Sequence, residues 1–222
     1  MATIGDVKVE KNGRGVGYIN VGEFCGGMPI RIPVAIMNGA RPGPTLWVNA
    51  AVHGDEYNSI EVLRRVLNEV LLEGLKGKLV CTPISSVTAL PFRSRLSVID
   101  NLDLGRCFPG NPRGKISERI AHMLFSEIKS KADYVLDLHT QEDYALGIAY
   151  TQYTVVPEAD PHVLHVSEEM ARAFLTKIVS RVGNGSTPPF DAQGRYGFLD
   201  FLSNAHGIPA IMAELGGGGR IE

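Results

Sequence analysis

The sequence predicts an α/β protein built from one domain. Three observations support this fold class: strands and helices alternate along the chain, the strands are short apolar runs, and the helices carry apolar residues at a 3.6-residue period. A chain of 222 residues with 44% hydrophobic content is long enough to bury a full core. Continuous apolar strands are typical of a sheet that helices cover on both faces.

The first part of the chain predicts three strand regions and a helix. Residues 1–30 are glycine-rich with short β segments, which indicates a hairpin or an edge strand. A short apolar run follows at Arg31–Met37, and Arg41–Pro44 predicts a turn. Thr45–Val52 is a continuous apolar strand. Tyr57–Leu72 then carries an apolar stripe that predicts an amphipathic helix.

The middle of the chain predicts a strand, a long loop and a second helix. Lys78–Ile84 is another buried strand, and residues 85–115 form a polar stretch without a clear period. A loop of that length inside a compact domain is usually functional. Ile116–Lys131 predicts the second helix, which leads into the strand Asp133–Leu138.

The last part of the chain predicts two more helices and a final strand. We expect the third helix to begin at about Ser167, as its N-cap, after a variable region. Tyr196–Ala205 predicts a fourth helix, which ends before Gly207. The last strand, Pro209–Ala213, is followed directly by Glu214.

Composition excludes several classes of protein. A net charge of -2 argues against a nucleic-acid binder, which works through a strong positive field. No apolar run reaches the roughly 18–20 residues of a membrane span, and the N-terminus lacks a signal pattern. Cys25, Cys81 and Cys107 are odd in number and scattered, which favours free thiols in a reducing compartment. We therefore expect a cytoplasmic protein that binds neither nucleic acid nor a membrane.

Four residues with useful chemistry lie at or near the ends of predicted strands. His53 and Glu56 lie between the strand Thr45–Val52 and the following helix, while His139 and Glu214 each follow a strand directly. A lone histidine at a strand end is more often a structural residue. In open α/β sheets, however, ligands bind outside the carboxyl ends of the strands. The shared placement therefore predicts one site.

These residues predict a metallohydrolase. Two imidazoles and one carboxylate, His53, His139 and Glu56, are the ligand set of a catalytic zinc ion, which keeps one position for water. We expect one zinc ion per chain, with its water as the nucleophile and Glu214 as general base and acid. Asp137 lies on the same strand face as His139. It either orients that imidazole or makes an ordinary structural hydrogen bond.

The long loop supplies three arginines, Arg93, Arg95 and Arg106. Arginine binds carboxylates in a bidentate manner and stabilises a developing oxyanion, so this loop fits a substrate with an amide bond and a nearby carboxylate. For Arg93 alone, a solvated basic loop is the simpler interpretation.

Four segments together resemble the succinylglutamate desuccinylase/aspartoacylase family, which belongs with the zinc carboxypeptidases. They are Val48–Glu56, the Phe92–Gly110 loop with its FRSR and DLGRCFPG motifs, Asp137–Thr140, and Gly207–Gly216. The match runs in order from about residue 30 to 219. The resemblance implies a three-layer α/β/α sandwich with a mixed central sheet.

The resemblance also implies an activity and a set of roles. The family hydrolyses the amide bond of small N-acyl amino acids. Its zinc ligands fall on His53, Glu56 and His139, and its general base falls on Glu214. Its two site arginines fall on Arg95, which polarises the scissile carbonyl, and on Arg106, which holds the substrate carboxylate. Small intracellular hydrolases are often symmetric, so a homo-oligomer is also considered.

Two departures from the family pattern shape these expectations. Gly105 stands where the family usually has asparagine, so one hydrogen bond to the substrate carboxylate is missing, and leaving that buried partner unpaired costs roughly 1–3 kcal/mol. We divide the chain into an N-terminal β-rich extension, residues 1–30, and a catalytic domain, residues 31–222. The second departure is that we expect the chain to lack the C-terminal β domain that covers the site in family members.

Two alternatives to a deacylase of N-acyl amino acids remain. They are a zinc carboxypeptidase acting on peptides and a non-catalytic metal-binding member.

Overall fold

The computed structural model describes residues 1–141, 147–156, 159–174, 176–183, 198–217 and 221. The strands in this part of the chain are β1 (Ala2–Ile4), β2 (Val7–Val9), β3 (Gly13–Glu23), β4 (Pro29–Asn38), β5 (Arg41–Ala50), β6 (Lys76–Thr82), β7 (Tyr134–His139), β8 (Tyr150–Thr154), β9 (Ile178–Val182) and β10 (Ala210–Glu214). The helices are α1 (Tyr57–Glu69), α2 (Ile116–Lys131), α3 (Pro161–Ala173) and α4 (Leu199–Ala205). Two short 3-10 turns, Leu90–Phe92 and Leu104–Arg106, lie in the long loop.

The centre of the molecule is a mixed eight-stranded sheet in the order β3-β4-β6-β5-β7-β10-β8-β9. Its inner strands β6, β5, β7 and β10 are mutually parallel, whereas β3-β4, β4-β6 and β10-β8 are antiparallel pairs. The strands β1 and β2 form a separate antiparallel ribbon. The predicted α/β fold with a mixed central sheet is confirmed.

Helices cover both faces of this sheet, which gives three layers. On one face, α2 and α4 bury Ile120, Leu124 and Leu202 against strand residues that include Trp47 and Val135. On the other face, the residues of α1 pack against β5 and β7, and those of α3 pack against β7, β8 and β10. Alternation along each strand sends neighbouring side chains to opposite faces, and this explains why continuous apolar strands are needed.

Helix α1 packs against the sheet through one stripe of apolar side chains. Leu63 is fully buried on the sheet, and Val62, Val66 and Val70 pack beside it. Burying a leucine side chain of this kind contributes about 1.5–3 kcal/mol. The helix starts directly after Glu56, so the same packing fixes the position of that carboxylate at the edge of the sheet.

The structure corrects two predicted elements. Helix α3 begins at Pro161, not at Ser167, because Asp160 caps it by accepting a hydrogen bond from the backbone N–H of His162 at 2.8 Å. Ser167 lies inside the helix and donates to the carbonyl of Val163. Arg41–Pro44 belongs to β5 and is not a turn, and the irregular pairing with β6 between Arg41 and Thr45 absorbs its two prolines.

The remaining predictions concern the two ends. Residues 13–23 form the edge strand of the main sheet, and the division of the chain at residue 30 stays a prediction. The predicted fourth helix is observed from Leu199, whereas residues 196 and 197 lie outside the described residues. Among the residues described, no helix is both long and apolar enough to cross a lipid bilayer.

Candidate functional site

The predicted site residues meet at the carboxyl ends of the parallel strands. His53 and Glu56 lie on the connection from β5 to α1, and His139 and Glu214 are the last residues of β7 and β10. Because β7 and β10 are parallel neighbours with His139 opposite Glu214, these two side chains leave the sheet at the same level. The topology therefore gathers residues from three separate parts of the chain.

The connection from β5 to α1 is held in one conformation. Ala51 has a positive φ of 47°, and its carbonyl accepts from the backbone N–H of Ser86 at 2.9 Å. At Gly54 the backbone passes so close to Ala89 that a Cβ would lie 2.3 Å from the carbonyl carbon of that residue. The Gly54 N–H donates to the carbonyl of Ser94 at 2.9 Å. This fixed loop presents His53 on the same side as Glu56.

His53, Glu56 and His139 form a buried group with the spacing of metal ligands. One donor atom from each residue lies within 4.8 Å of the other two. Nδ1 of His53 is 2.6 Å from Glu56 Oε1, and Nδ1 of His139 is 3.1 Å from Glu56 Oε2. All three side chains are buried. Both imidazoles thus point the same ring nitrogen at one carboxylate.

The other ring nitrogen of each histidine meets a second carboxylate. Nε2 of His53 lies 2.9 Å from Asp103 Oδ1, and Nε2 of His139 lies 3.1 Å from Asp137 Oδ2. A carboxylate accepts a hydrogen bond from Nε2 and so leaves the lone pair on Nδ1. Of the two readings of Asp137, the structure thus favours the one in which it orients His139.

Burial and charge shift the pKa values of these groups strongly. Burial opposes the charge on His139, but Glu56 and Asp137 outweigh it and raise the pKa of His139 well above its usual range. The pKa of His53 is also raised, because Asp103 and Glu56 outweigh its burial. Against their own burial, the neighbouring imidazoles lower the pKa values of Glu56 and Asp103 to about 2.

The donor set fits zinc. Zinc is commonly held in catalytic sites by two imidazoles and one carboxylate, and its histidine ligands usually donate their second N–H to a carboxylate or a carbonyl. Both features are present in the His53, Glu56 and His139 group. The group therefore indicates a metal site, and the choice of zinc belongs to the proposal below.

Glu214 lies beside this group and differs from the other carboxylates. Its burial, together with the charge of Glu56, raises the pKa of Glu214, although His139 opposes the shift. Its Oε2 atom is buried and accepts no hydrogen bond within the described part of the chain. A half-buried carboxyl group with a raised pKa is suited to accept and return a proton.

Two of the three predicted arginines converge on the site. Arg95 Nη2 and Arg106 Nε lie 3.5 Å and 3.6 Å from the same atom, Asp103 Oδ2. Asp103 also contacts His53, so a single residue, Asp103, connects both guanidinium groups to the metal site. Arg93 is exposed on the loop and lies outside this chain of contacts. Its role in substrate binding stays a prediction.

Gly105 borders the site directly. A Cβ at this position would lie 3.1 Å from Asp103 Oδ1 and 3.5 Å from His53 Nε2. An asparagine side chain here would therefore stand against both residues. Glycine therefore fits this close approach to Asp103 and His53 without displacing either side chain.

Comparison with known proteins decides the family. The model of the succinylglutamate desuccinylase/aspartoacylase catalytic domain matches residues 42–222. The chain belongs to this family. The match covers the whole site, from His53 to Glu214.

Related proteins agree with this assignment. The chain is 30% identical over 145 residues to the N-alpha-acetyl-L-2,4-diaminobutyric acid deacetylase of Halomonas elongata, covering 65% of this chain and 40% of that protein. The crystal structure of a succinylglutamate desuccinylase/aspartoacylase from Rhodobacter sphaeroides is 27% identical, with a TM-score of 0.81, and the match covers 98% of this chain and 62% of that one. The chain therefore spans less than two thirds of the length of either relative.

A metallo-carboxypeptidase from Burkholderia cenocepacia shares the fold. At 12% identity its TM-score is 0.66, over 90% of this chain and 55% of that one. The carboxypeptidase-like architecture expected from the sequence is confirmed by this similarity.

Sequence reasoning missed Asp103. It stands three residues before Arg106 in the segment Asp103-Leu104-Gly105-Arg106, which supplied only the arginine as a candidate. The sequence feature that could have identified Asp103 is a carboxylate in the same loop motif as Arg106. Which histidine it contacts depends on a turn 50 residues away from His53, and no local pattern reveals that.

Proposed function

We propose that this protein is a zinc-dependent amidohydrolase that cleaves the amide bond of a small N-acyl amino acid. The observation that carries the proposal is the buried His53, Glu56 and His139 group beside Glu214, whose Oε2 accepts no hydrogen bond from the residues described. The names of the relatives support it, because they describe enzymes that remove an acyl group from an amino acid.

Three residues would bind the metal ion directly, and two aspartates would hold the histidine rings in place. Nδ1 of His53, Nδ1 of His139 and one oxygen of Glu56 would hold the ion, while Asp103 and Asp137 keep the two rings in place. When bound, zinc would acidify a water molecule to a pKa of about 7 and polarise the carbonyl of the substrate.

Glu214 moves the proton in this reaction. It takes the proton from the attacking water and gives it to the nitrogen of the amide when the C–N bond breaks. A new C–O bond forms at the acyl carbon, so the products are a carboxylic acid and a free amine. A raised pKa lets Glu214 hold the proton between these two steps.

The arginines bind the charges of the substrate. Arg95 polarises the scissile carbonyl, and Arg106 holds the carboxylate of the amino acid. Both already contact one oxygen of Asp103, so a substrate carboxylate would compete with an internal partner. Gly105 offers no side-chain amide to a substrate carboxylate, which favours a substrate whose acidic group is held differently from that in most of the family. We therefore choose an N-acetylated diamino acid as the first substrate to test.

The free thiols and the fold are consistent with a cytoplasmic enzyme. Cys25, Cys81 and Cys107 form no disulfide. A cytoplasmic location and a homo-oligomeric state belong to this proposal.

Metal content is the experiment that tests the site. We expect about one zinc ion per chain in protein purified without a chelator or a metal column, and much less in His139→Ala. His162→Ala is the matched control, because His162 is an exposed histidine on α3, away from the site. Circular dichroism shows whether each variant is folded. A folded wild-type protein that takes up no zinc when zinc is supplied would contradict the proposal.

A substrate panel tests the reaction. N-acetyl and N-succinyl amino acids, N-acetylated diamino acids and short peptides are incubated with the zinc-loaded protein, and the free amine is measured. We expect release from one of the N-acyl amino acids. Release from peptides alone would indicate a carboxypeptidase instead.

A further inference from the structure

A chain of buried polar groups runs across the middle of the sheet and ends at the metal site. It passes through three neighbouring strands, because Asn49 of β5 lies opposite Thr82 of β6 on one side and opposite Asp137 of β7 on the other. Asn49 Nδ2 donates to Asp137 Oδ1 at 2.7 Å, and Thr82 Oγ1 donates to Asn49 Oδ1 at 2.8 Å. The hydroxyl of Ser85 donates to the same oxygen. All four side chains are buried.

The carboxylate of Asp137 fixes the direction of the hydrogen bonds in this chain. A carboxylate only accepts, so the amide nitrogen of Asn49 must face Asp137, and the amide oxygen then faces Thr82 and Ser85, whose hydroxyls donate to it. At the far end, the indole Nε1–H of Trp47 donates to Thr82 Oγ1 at 3.1 Å, which agrees with a threonine hydroxyl that gives its own hydrogen to Asn49.

The last link decides which nitrogen of His139 carries the hydrogen. A carboxylate only accepts hydrogen bonds, so Asp137 accepts from Asn49 at Oδ1 and from the Nε2–H of His139 at Oδ2. In the neutral imidazole, which is the form that binds a metal ion, the lone pair is then on Nδ1, the atom that faces Glu56.

We propose that Asn49 is a positioning residue of the metal site, acting through Asp137 on His139. It holds one oxygen of Asp137 so that the other stays in line with Nε2 of His139. Without the amide, Asp137 loses its partner on Oδ1 and is free to turn about its side-chain bonds. This inference rests on the proposed zinc site and adds to it a residue that has no contact with the metal ligands themselves.

The place of Asn49 in the sheet supports a role beyond stability. Its strand neighbours Val48 and Ala50 are apolar and buried, as is usual for a central strand. A polar network in such a position is costly unless every member is paired, and it then fixes one arrangement of the side chains. In this network the fixed arrangement of side chains ends at His139, one of the proposed metal ligands.

Zinc affinity is the test. The dissociation constant of zinc is measured by competition with a chromophoric chelator for the wild type, for Asn49→Ala and for Asn49→Val. We expect both variants to bind zinc about 10- to 100-fold more weakly, the range for loss of a group that supports a metal ligand. Asn49→Val also removes the donor to Asp137, suits a central strand, and carries the test if Asn49→Ala does not fold.

Two further comparisons separate positioning from a general loss of stability. Asn38→Ala is the matched control, since Asn38 is another buried asparagine of the same sheet, whose amide donates to the carbonyl of Val9 at 3.2 Å. It should bind zinc as the wild type does. In the Asp137→Ala background, the Asn49→Ala change should weaken zinc binding no further, because the residue through which it acts is gone.

The outcomes are distinguishable. Unchanged zinc affinity in a folded Asn49 variant would overturn the role of Asn49 and leave the metal site intact. The same loss with and without Asp137 would also overturn it, because the effect would then not pass through that carboxylate. A wild-type protein without zinc affinity would overturn both this inference and the proposed function.

Discussion

The two histidines of the site use their ring nitrogens in the same way. Each turns Nδ1 toward Glu56 and Nε2 toward an aspartate, although the aspartates come from different parts of the fold: Asp103 from a loop and Asp137 from a strand. This arrangement determines the tautomer of each ring and so the atom that is available to a metal ion. Glu56 is the one carboxylate shared by both imidazoles.

Glu214 allows the reaction to be separated from metal binding. In Glu214→Gln the side chain keeps its size but cannot take up a proton, so we expect kcat to fall by about 10²- to 10⁴-fold, the usual contribution of a general base. Zinc content should not change, because Glu214 is not part of the ligand group. Steady-state kinetics on the best substrate of the panel, together with zinc content, make the measurement.

Glu10→Gln serves as the control, because Glu10 is an exposed glutamate between β2 and β3 and should leave kcat unchanged. Full activity in Glu214→Gln would remove Glu214 from the mechanism. A loss of zinc in the same variant would instead make it a ligand.

At the scale of elements, sequence patterns predicted the parts that form the site and missed two strands beyond it. The strands β5, β7 and β10 contain the apolar runs recognised in the sequence, and the ends of β7 and β10 place His139 and Glu214. Strand β8 reads Tyr-Thr-Gln-Tyr-Thr and looked polar, yet its Thr151 is buried with its hydroxyl bonded to the carbonyl of Ala171 at 3.0 Å. Strand β9 lies at the edge of the sheet and is half-exposed, so it has no clear alternation of buried and exposed residues that would predict a strand.

The start of α3 shows a local signal that was present in the sequence. Asp160 and Pro161 are a capping residue followed by a proline in the first turn, which is a usual way to begin a helix. Ser167 was the weaker candidate, because a serine inside a helix also bonds to the preceding turn, as Ser167 does.

Helix α4 carries a buried carboxyl group whose ionisation affects stability. Asp200 lies in the first turn of α4, where the hydroxyl of Thr154 donates to its Oδ2 at 2.7 Å. Its Oδ1 accepts no hydrogen bond from the described residues. Burial, and to a lesser degree the charge of Asp137, raise the pKa of Asp200 from 3.8 to about 6.

The raised pKa predicts that Asp200→Asn stabilises the protein at neutral pH. The unfolded chain loses this proton near pH 4 and the folded protein near pH 6, so the free energy of unfolding falls as pH rises between these values. Asparagine stays neutral and removes that fall. At pH 7.5 we expect the variant to be more stable by about 1–3 kcal/mol, from a shift of about two pKa units.

Urea unfolding at pH 3.5 and at pH 7.5 checks this prediction, with both proteins metal-free in the presence of a chelator at both pH values. The gain should be present at pH 7.5 and nearly absent at pH 3.5, where Asp200 is protonated in the folded state. Equal stabilities at both values would show that Asp200 titrates normally.

At the scale of the whole molecule, the site joins parts of the chain that lie far apart in the sequence. Glu56 and His139 are 83 residues apart in the chain, on opposite sides of the long loop that brings in Asp103. A metal ion bound by Glu56 and His139 would crosslink the start of α1 to the end of β7. The sequence showed which residues form the group, whereas the loop, without a period of its own, did not show how it folds over them.

Zinc should therefore stabilise the entire domain. A ligand that binds only the folded state adds about 2.7 kcal/mol when its free concentration is 100 times its dissociation constant. For a domain of this size, 1 kcal/mol raises Tm by about 2–4 °C, so we expect zinc to raise Tm by about 5–11 °C and a chelator to reverse the rise. His139→Ala should lose this zinc-dependent rise, and His162→Ala should keep it. An equal rise in His139→Ala would mean that zinc stabilises the protein from another place, because a single glutamate and a single histidine do not make the three-ligand site on which the predicted rise depends.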